Sequence, residues 1–221
     1  PEMAKASADA AIKYGSGSGS SRLISGNSEL HEELEDSLRK FKKLPSALIA
    51  SSGYALNVSL IPALVAPGDA VILDRLCHAS LVDGAKLSGA RLFVFSHCNM
   101  DSLESALKRA IKYRRRLILS DSVFSMDVDC SPLVEVADLA EKYGAETFVD
   151  DAHATGVIGK EGCGAVENVG LSNRVDYIVG TFSKAYGSFG GFAVSRHDTF
   201  AHFAINTVRG VIYSTALPPS V

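Results

Sequence analysis

The sequence predicts an α/β domain in which helices cover both faces of a mostly parallel β-sheet. Short β-rich segments alternate along the chain with longer segments whose apolar residues recur at helical spacing. Several of the β-rich segments are apolar throughout, which is typical of strands buried on both faces of a sheet. Repeated strand–helix–strand units of this kind indicate parallel strands joined by crossover helices.

The strand pattern recurs along most of the chain. The predicted strands are 47–50, 70–74, 91–95, 117–121, 147–150, 177–181 and 191–194. Several of them end in polar residues, namely Asp74, Asp121, Asp150 and Thr181. Because ligands bind outside the carboxyl ends of the strands in such sheets, a functional site is expected there.

Residues 28–43 form the first clearly patterned helix. Acidic residues come early and lysines late, as the helix dipole favours. An apolar stripe is expected to face the core. It consists of Leu30, Leu34, Leu38 and Phe41.

Two further helices are predicted from their end signals. Residues 101–113 begin at Asp101, the predicted N-cap, with Glu104 as its capping-box partner. Residues 132–143 begin with a proline and stop before Gly144.

Composition excludes several classes of protein. The 221 residues carry 22 Lys and Arg against 25 Asp and Glu, and 47% are hydrophobic, which is ordinary for a globular protein with a core. The near-balanced charge gives no electrostatic reason to expect a nucleic-acid partner, and no apolar run approaches the ~20 residues of a membrane helix. The 4 cysteines include no Cys-x-x-Cys pair. Metal ligation is therefore not expected. We expect the cysteines to be reduced thiols of a cytoplasmic protein.

The glycine-rich segment at 14–22 does not have the context of a nucleotide-binding loop. No strand precedes it, no helix begins at its third glycine, and no Gly-Lys-Ser/Thr follows. We interpret 1–45 as an N-terminal segment with a helix and 46–221 as one large domain. The chain opens on Pro1 and closes on LPPSV, so we expect sequence to be missing at both ends.

Three polar clusters follow predicted strands directly. VDDAHATG (149–156) places a histidine three residues after an acid, and GTFSKAYG (180–187) sets a lysine among small and aromatic residues. Such a lysine, if partly desolvated, suits imine formation. SSGYALN (51–57) opens a helix whose backbone N–H groups could hold a phosphate. Taken singly, each cluster is equally compatible with a capping aspartate, a solvated lysine or an ordinary strand-to-helix turn.

Taken together, the motifs resemble the α-oxoamine synthases, which depend on pyridoxal 5'-phosphate (PLP) and have the aspartate-aminotransferase fold, fold type I. The resemblance covers nearly the whole chain. Its marks, in order, are GSSRLISGN (19–27) with His31, SSGYALN (51–57), DRLCHASL (74–81), SVFSMD (122–127), VDDAHATG (149–156), GTFSK (180–184) and YSTALPP (213–219). It implies that 46–221 is the PLP-binding large domain.

The resemblance implies roles around the cofactor ring. Lys184 would carry PLP and then act as general base at the substrate's Cα. Asp150 would face the pyridine nitrogen, and a carboxylate there keeps the ring protonated and electron-withdrawing. His153 would lie near the phenolic oxygen, and His78 would stack on the ring face. Ser125 would also lie near the phenolic oxygen.

Further positions would hold the cofactor's phosphate. Gly53 and Tyr54 would contribute backbone N–H groups, and Thr181 a hydroxyl. Ser214 and Thr215 match positions that reach the cofactor of a neighbouring subunit, so the resemblance implies a homodimer.

The implied reaction is a decarboxylative condensation of an amino acid with an acyl-CoA to give an α-amino ketone. DDAHATGVIG (150–159) and VIYSTALPP (211–219) favour members that join L-alanine to a pimeloyl thioester in biotin synthesis. GTFSK (180–184) and GGFAVS (190–195) favour members that act on L-serine and a palmitoyl thioester. A member acting on 2-amino-3-ketobutyrate stays open, as does a carrier protein in place of CoA.

Two other classes of function fit the sequence less well. Non-catalytic partner subunits of such synthases typically lack the cofactor lysine, whereas Lys184 and Asp150 are both present. The motifs DAH and TFSK are less typical of other fold-type-I enzymes, such as aminotransferases or lyases.

The chain departs from the family pattern in two places. Val128 stands where the family usually has glycine, and a β-branched residue is costly if that turn needs a positive φ. The small C-terminal domain, with its arginine for the amino acid's carboxylate, has no counterpart in these residues. We therefore expect little turnover from the 221-residue chain alone.

Overall fold

A computed structural model describes residues 2–126 and 128–221 of the chain. Within these ranges a seven-stranded sheet has the strand order β1-β7-β6-β5-β4-β2-β3. The strands are β1 (Ser46–Ala50), β2 (Ala70–Asp74), β3 (Arg91–Phe95), β4 (Arg116–Asp121), β5 (Glu146–Asp150), β6 (Tyr177–Thr181) and β7 (Gly191–Ser195). Every predicted strand is confirmed, with ends that differ by at most one residue.

Helices precede, connect and follow these strands. They are α1 (Glu2–Tyr14), α2 (Glu29–Lys42), α3 (Gly53–Leu64), α4 (Ala79–Leu87), α5 (Met100–Ala110), α6 (Leu133–Tyr143), α7 (Ala165–Asn168), α8 (Phe200–Thr207) and α9 (Arg209–Ile212). A single π-helical turn, Arg22–Gly26, precedes α2. No helix of the described ranges has the length and apolar character needed to cross a bilayer.

The sheet is mostly parallel, as the sequence predicts. Strands β3, β2, β4, β5 and β6 run parallel to one another. Strand β7 runs antiparallel to both of its neighbours, β6 and β1. The carboxyl ends of β4, β5 and β6 therefore lie at one edge.

Alternate side chains of each strand supply the two faces of the core. Leu48, for example, packs with α3, α4, α8 and α9 on one face. Its neighbour Ile49 packs with α2 and α6 on the other face. Helix α5 joins α6 over β2 and β4 on that second face. Fully apolar strands are required because both faces are covered.

The buried face of α2 differs from the predicted apolar stripe. Its buried residues are His31, Glu35, Leu38 and Lys42, whereas Leu30, Leu34 and Phe41 are only partly buried. Each buried polar group has a partner: Glu35 bonds Arg22 and the Ile49 amide, and His31 Nε2 lies 2.9 Å from the Leu217 carbonyl. Hydrogen-bond partners from distant segments offset the desolvation cost of burying these polar groups. The residue pattern of the helix does not reveal those partners.

The caps of the helices confirm one prediction and correct another. Helix α6 ends before Gly144 as predicted, and the φ of Gly144, 57°, is left-handed. Ser28 caps α2 together with His31. Helix α5, however, begins one residue earlier than predicted. Its N-cap is Asn99, which accepts a hydrogen bond from the Ser102 amide at 2.8 Å, so Asp101 is not the cap.

Val128, which stands where the family usually has glycine, adopts a positive φ. Its φ is 58°, and 75% of its surface is exposed. Its amide donates to the Phe124 carbonyl at 3.1 Å, which closes a tight turn. A β-branched residue in this region is strained, by about 1–2 kcal/mol, and its exposed side chain gains little packing in return.

We expect Val128→Gly to raise the free energy of unfolding by about 1 kcal/mol, since the relieved strain exceeds glycine's entropy cost in the unfolded chain. Urea denaturation measures the change. Val169→Gly is the matched control, because Val169 is also exposed but has a φ of −96°. An equal gain in both variants, or none in Val128→Gly, would contradict the strain.

Candidate active site

A cavity of about 220 Å³ opens at the carboxyl ends of β4, β5 and β6. Its lining combines strand ends with the loops that follow them. The lining residues are Ser52, Gly53, Tyr54, Asn57, His78, Ser80, Asp121, Asp150, Ala152, His153, Gly180, Thr181, Ser183 and Lys184. The predicted residues Gly53, Tyr54, His78, Asp150, His153, Thr181 and Lys184 thus share one cavity.

Lys184 and His153 meet across the mouth of the cavity. Lys184 Nζ lies 2.9 Å from His153 Nε2. Burial, together with the nearby Lys184 charge, lowers the pKa of His153. A neutral His153 can accept a hydrogen bond from the Lys184 ammonium through Nε2. The expected desolvation of Lys184 is not seen, since its side chain is exposed in the single chain.

Asp150 ends β5 as a buried, hydrogen-bonded carboxylate. Its Oδ2 accepts from Asn57 Nδ2 at 2.7 Å, and its Oδ1 accepts from the Ala152 amide at 3.0 Å. Asp121 is its partner in the register of β4 and β5. Burial, and then the charge of Asp150, raise the pKa of Asp121 to about 7. The two carboxylates make the floor of the cavity suited to a cation or a protonated nitrogen.

His78 precedes α4 and is held by three contacts. Its backbone amide donates to Asp121 Oδ2 at 2.9 Å. Its Nδ1 lies 2.7 Å from Ser80 Oγ and 3.3 Å from the Ser80 amide. The imidazole is therefore anchored along one edge while it lines the cavity.

The N-terminus of α3 forms the opposite wall. Ser52 caps the helix by accepting from the Ala55 amide at 3.1 Å. The first amides of a helix, here those of Gly53 and Tyr54, have no intrahelical acceptor and favour an anion. A side chain on Gly191 would collide with the backbone at Ser52 and Gly53, so this close approach requires glycine.

Three predicted residues lie elsewhere. Ser125 is exposed and does not line the cavity, and Asp127 of the same motif lies outside the described residues. Ser214 and Thr215 line a separate small recess that also contains Arg22. Their predicted contact with a neighbouring subunit stays a prediction.

Sequence reasoning assigned no role to several lining residues. These are Ser52, Asn57, Ser80, Asp121, Ala152, Gly180 and Ser183. All except Asp121 lie within the motifs given above, and Asp121 is one of the polar residues at a strand end. Their place in the sequence, within a motif or at a strand end, was therefore the one signal that could have identified them.

One histidine outside the cavity is paired on both ring nitrogens. The side chain of His97 is 22% exposed and lies between two carboxylates. Nδ1 is 2.8 Å from Asp74 Oδ1, and Nε2 is 2.7 Å from Asp129 Oδ2.

Comparison with known proteins identifies the family. Residues 1–221 match the model of aminotransferase class I and II. The chain belongs to this family. Within the family, it is similar to 8-amino-7-oxononanoate synthases from Alkaliphilus metalliredigens (47% identical over 221 residues) and Trichlorobacter lovleyi (48% over 221 residues). In both cases all of this chain aligns with 56% of the relative, so it spans little more than half of their length.

Solved structures of the family confirm fold type I. A serine palmitoyltransferase variant from S. paucimobilis, with a bound PLP–myriocin aldimine, superimposes with a TM-score of 0.96 at 38% identity, over 100% of this chain and 57% of that one. An 8-amino-7-oxononanoate synthase from Francisella tularensis gives 0.83 at 29% identity, over 98% and 60%. The resemblance to α-oxoamine synthases is therefore confirmed.

A buried ion pair supports the segment that carries Asp150 and His153. Lys42 Nζ donates to Asp151 Oδ2 at 3.0 Å and to Thr155 Oγ1 at 2.6 Å. The side chains of Lys42 and Asp151 are 2% and 0% exposed. This pair ties α2 to the turn after β5.

We expect Lys42→Met to lower the free energy of unfolding by about 3–5 kcal/mol, because it leaves the Asp151 carboxylate buried without a cation. Urea denaturation, or failure to fold, is the readout. Lys43→Met is the control: Lys43 pairs with Glu167 at 2.9 Å but is 57% exposed, so a change within about 0.5 kcal/mol is expected. Equal effects of the two substitutions would exclude the buried pair as a support.

Proposed function

We propose that this chain forms the cofactor-binding part of a PLP-dependent α-oxoamine synthase. The observation that carries the proposal is the single cavity in which Lys184, His153, Asp150 and His78 meet a helix N-terminus. The names of the relatives at 42–48% identity support the same reading.

The donor set of the cavity fits PLP. A buried carboxylate, Asp150, suits the ring nitrogen, and an exposed amine, Lys184, suits the aldehyde. The amides that open α3 suit the phosphate. The Thr181 hydroxyl already donates to the Gly190 carbonyl at 2.8 Å, so it would exchange that bond for one to a phosphate oxygen.

When bound, PLP supplies a protonated ring that withdraws electrons from the amino acid's Cα. Asp150 would hold the proton on the ring nitrogen. Lys184 Nζ would hold the cofactor and, once free, would remove the proton from Cα. His153, 2.9 Å from Nζ, would orient that amine. His78 would cover one face of the ring and exclude water there.

The reaction we propose joins L-alanine to a pimeloyl thioester. The bond formed links the alanine Cα to the thioester carbonyl carbon. The bonds broken are the Cα–H bond, the thioester C–S bond and the bond from Cα to the carboxylate. The proton taken from Cα and one proton from solvent go to the leaving thiol and back to Cα, so the products are the thiol, carbon dioxide and 8-amino-7-oxononanoate. The catalytic chain's contribution is to hold the two reactants in attack geometry, an effect of up to ~7–11 kcal/mol.

A homodimer is part of the proposal. Ser214 is partly buried and Thr215 exposed, in a recess separate from the cavity. We assign them to the phosphate of the neighbouring subunit's cofactor. Ser125 keeps its proposed place near the phenolic oxygen. The cysteines Cys77, Cys98, Cys130 and Cys163 are free thiols, which is consistent with a cytoplasmic protein.

A second candidate reaction uses L-serine and a palmitoyl thioester. The observation in its favour is backbone similarity, since serine palmitoyltransferase structures superimpose at TM-scores of up to 0.96. Sequence identity favours the first candidate, with relatives named 8-amino-7-oxononanoate synthase at up to 48%. Side chains rather than the backbone path select a substrate, so we rank the alanine reaction first.

The cofactor assignment predicts that borohydride traps PLP on Lys184. The protein is incubated with PLP, reduced and digested, and the peptide that contains residue 184 is identified by mass spectrometry. Lys184→Ala should lose both the label and the visible absorption band. Lys160→Ala, in the described loop after β5 but outside the cavity lining, should keep both.

Label that is spread over several surface lysines, or retained in Lys184→Ala, would contradict the cofactor site. Activity is not needed for this measurement. It therefore tests the cofactor site separately from the reaction.

The substrate assignment predicts that L-alanine perturbs the PLP absorption spectrum at lower concentration than L-serine or glycine. With L-alanine present, pimeloyl-CoA rather than palmitoyl-CoA should then drive release of carbon dioxide from the alanine carboxylate, measured on a full-length chain because little turnover is expected from these 221 residues alone. A preference for L-serine and palmitoyl-CoA would overturn the first candidate in favour of the second. The difference is expected to be tenfold or more, about 1.4 kcal/mol.

A further inference from the structure

The side-chain amide of Asn57 joins two separate walls of the cavity. Its Nδ2 donates to Asp150 Oδ2 at 2.7 Å and to Ser80 Oγ at 2.9 Å. Asn57 is 1% exposed and Ser80 0% exposed, so water does not compete for these bonds. Asn57 lies on α3, Asp150 at the end of β5 and Ser80 on α4.

The orientation of the amide follows from its partners. The reversed amide would set its oxygen against the Asp150 carboxylate, and two acceptors repel at that distance. Asn57 Oδ1 is then left buried and without a hydrogen-bond partner among the described residues. An unsatisfied buried carbonyl costs free energy, so the amide's contribution is to arrangement more than to stability.

The Ser80 hydroxyl links the Asn57 amide to the His78 ring. Because its oxygen accepts from Asn57, its hydrogen is free to donate to His78 Nδ1 at 2.7 Å. The Ser80 amide points at the same nitrogen from 3.3 Å. With two donors directed at Nδ1, the neutral imidazole carries its proton on Nε2.

We propose that Asn57 and Ser80 are positioning residues for the cofactor. Hydrogen bonds from Asn57 to Ser80 and from Ser80 to His78 fix the Nε2–H tautomer of His78. The side-chain amide of Asn57 also fixes the orientation of the Asp150 carboxylate. The inference rests on the proposed function, because these two groups flank a PLP ring: one covers its face and the other meets its nitrogen.

The test begins with the tautomer of His78 in the protein without cofactor. The protein is labelled with ¹⁵N-histidine, and the Nδ1 and Nε2 chemical shifts are recorded at alkaline pH. His78→Gln identifies the His78 signals. We expect the Nε2–H form to dominate in the unmodified chain. In Ser80→Ala the Nδ1–H population should rise several-fold, because only the weaker amide donor is left.

Two variants separate this role from a merely structural one. Ser80→Thr keeps a hydroxyl and should restore the tautomer. Ser88→Ala is the matched control, because Ser88 is also buried but bonds the Ala85 carbonyl at the other end of α4, and it should change nothing. Asn57→Leu removes the donor that orients the Ser80 hydroxyl. It should move the tautomer in the same direction, and it keeps the test available if Ser80→Ala does not fold.

PLP affinity gives the second readout. Asn57→Leu should weaken PLP binding about tenfold, as loss of a hydrogen bond to a charged group implies, and Ser88→Ala should not. If the unmodified protein fails to bind PLP, the proposed function fails while the tautomer result stands by itself. If it binds PLP but neither Ser80→Ala nor Asn57→Leu shifts the tautomer, the positioning role is overturned.

Discussion

The structure depends on one constraint: three neighbouring parallel strands are buried on both faces. Strands β4, β5 and β6 admit only apolar side chains along most of their length, so polar groups occur at their ends. The parallel register then sets those ends side by side, with Asp121 opposite Asp150. The loops that carry His153 and Lys184 leave from the same edge. The cavity is thus a consequence of how the sheet is packed.

Adjacent aspartates on one strand end have opposite surroundings. Asp151 is buried against Lys42, a fixed cation that neutralises it. Asp150 faces the cavity and is held by the Asn57 amide and a backbone amide, neither of which carries a charge. Asp121 lies beside it, and burial together with the Asp150 charge raises the pKa of Asp121. Neutral donors hold the Asp150 carboxylate in place without cancelling its charge, which leaves it able to act on a bound cation.

Part of the fold could be predicted closely from local patterns. Strands 70–74 and 177–181 were predicted to the residue, because a fully buried strand has a strong sequence signal. Strand 91–95 was predicted equally closely, although only Phe95 of it is buried. The N-cap of α5 was predicted wrongly as Asp101: Asn99 is as good a cap, and the path of the chain into the helix places Asn99 at that position. The buried face of α2 escaped prediction because its polar residues are paired with groups far away in sequence.

The sequence by itself determined where the strands lie and which acids and which lysine stand at their ends. These are properties of short segments, set by burial and local backbone geometry. Tertiary structure alone decided the Asn57 bonds to Ser80 and Asp150, 23 and 93 residues away, and the Lys42–Asp151 pair, 109 residues apart. A hydrogen bond needs its atoms within about 3 Å, and only the packed sheet and helices bring such distant residues to that distance.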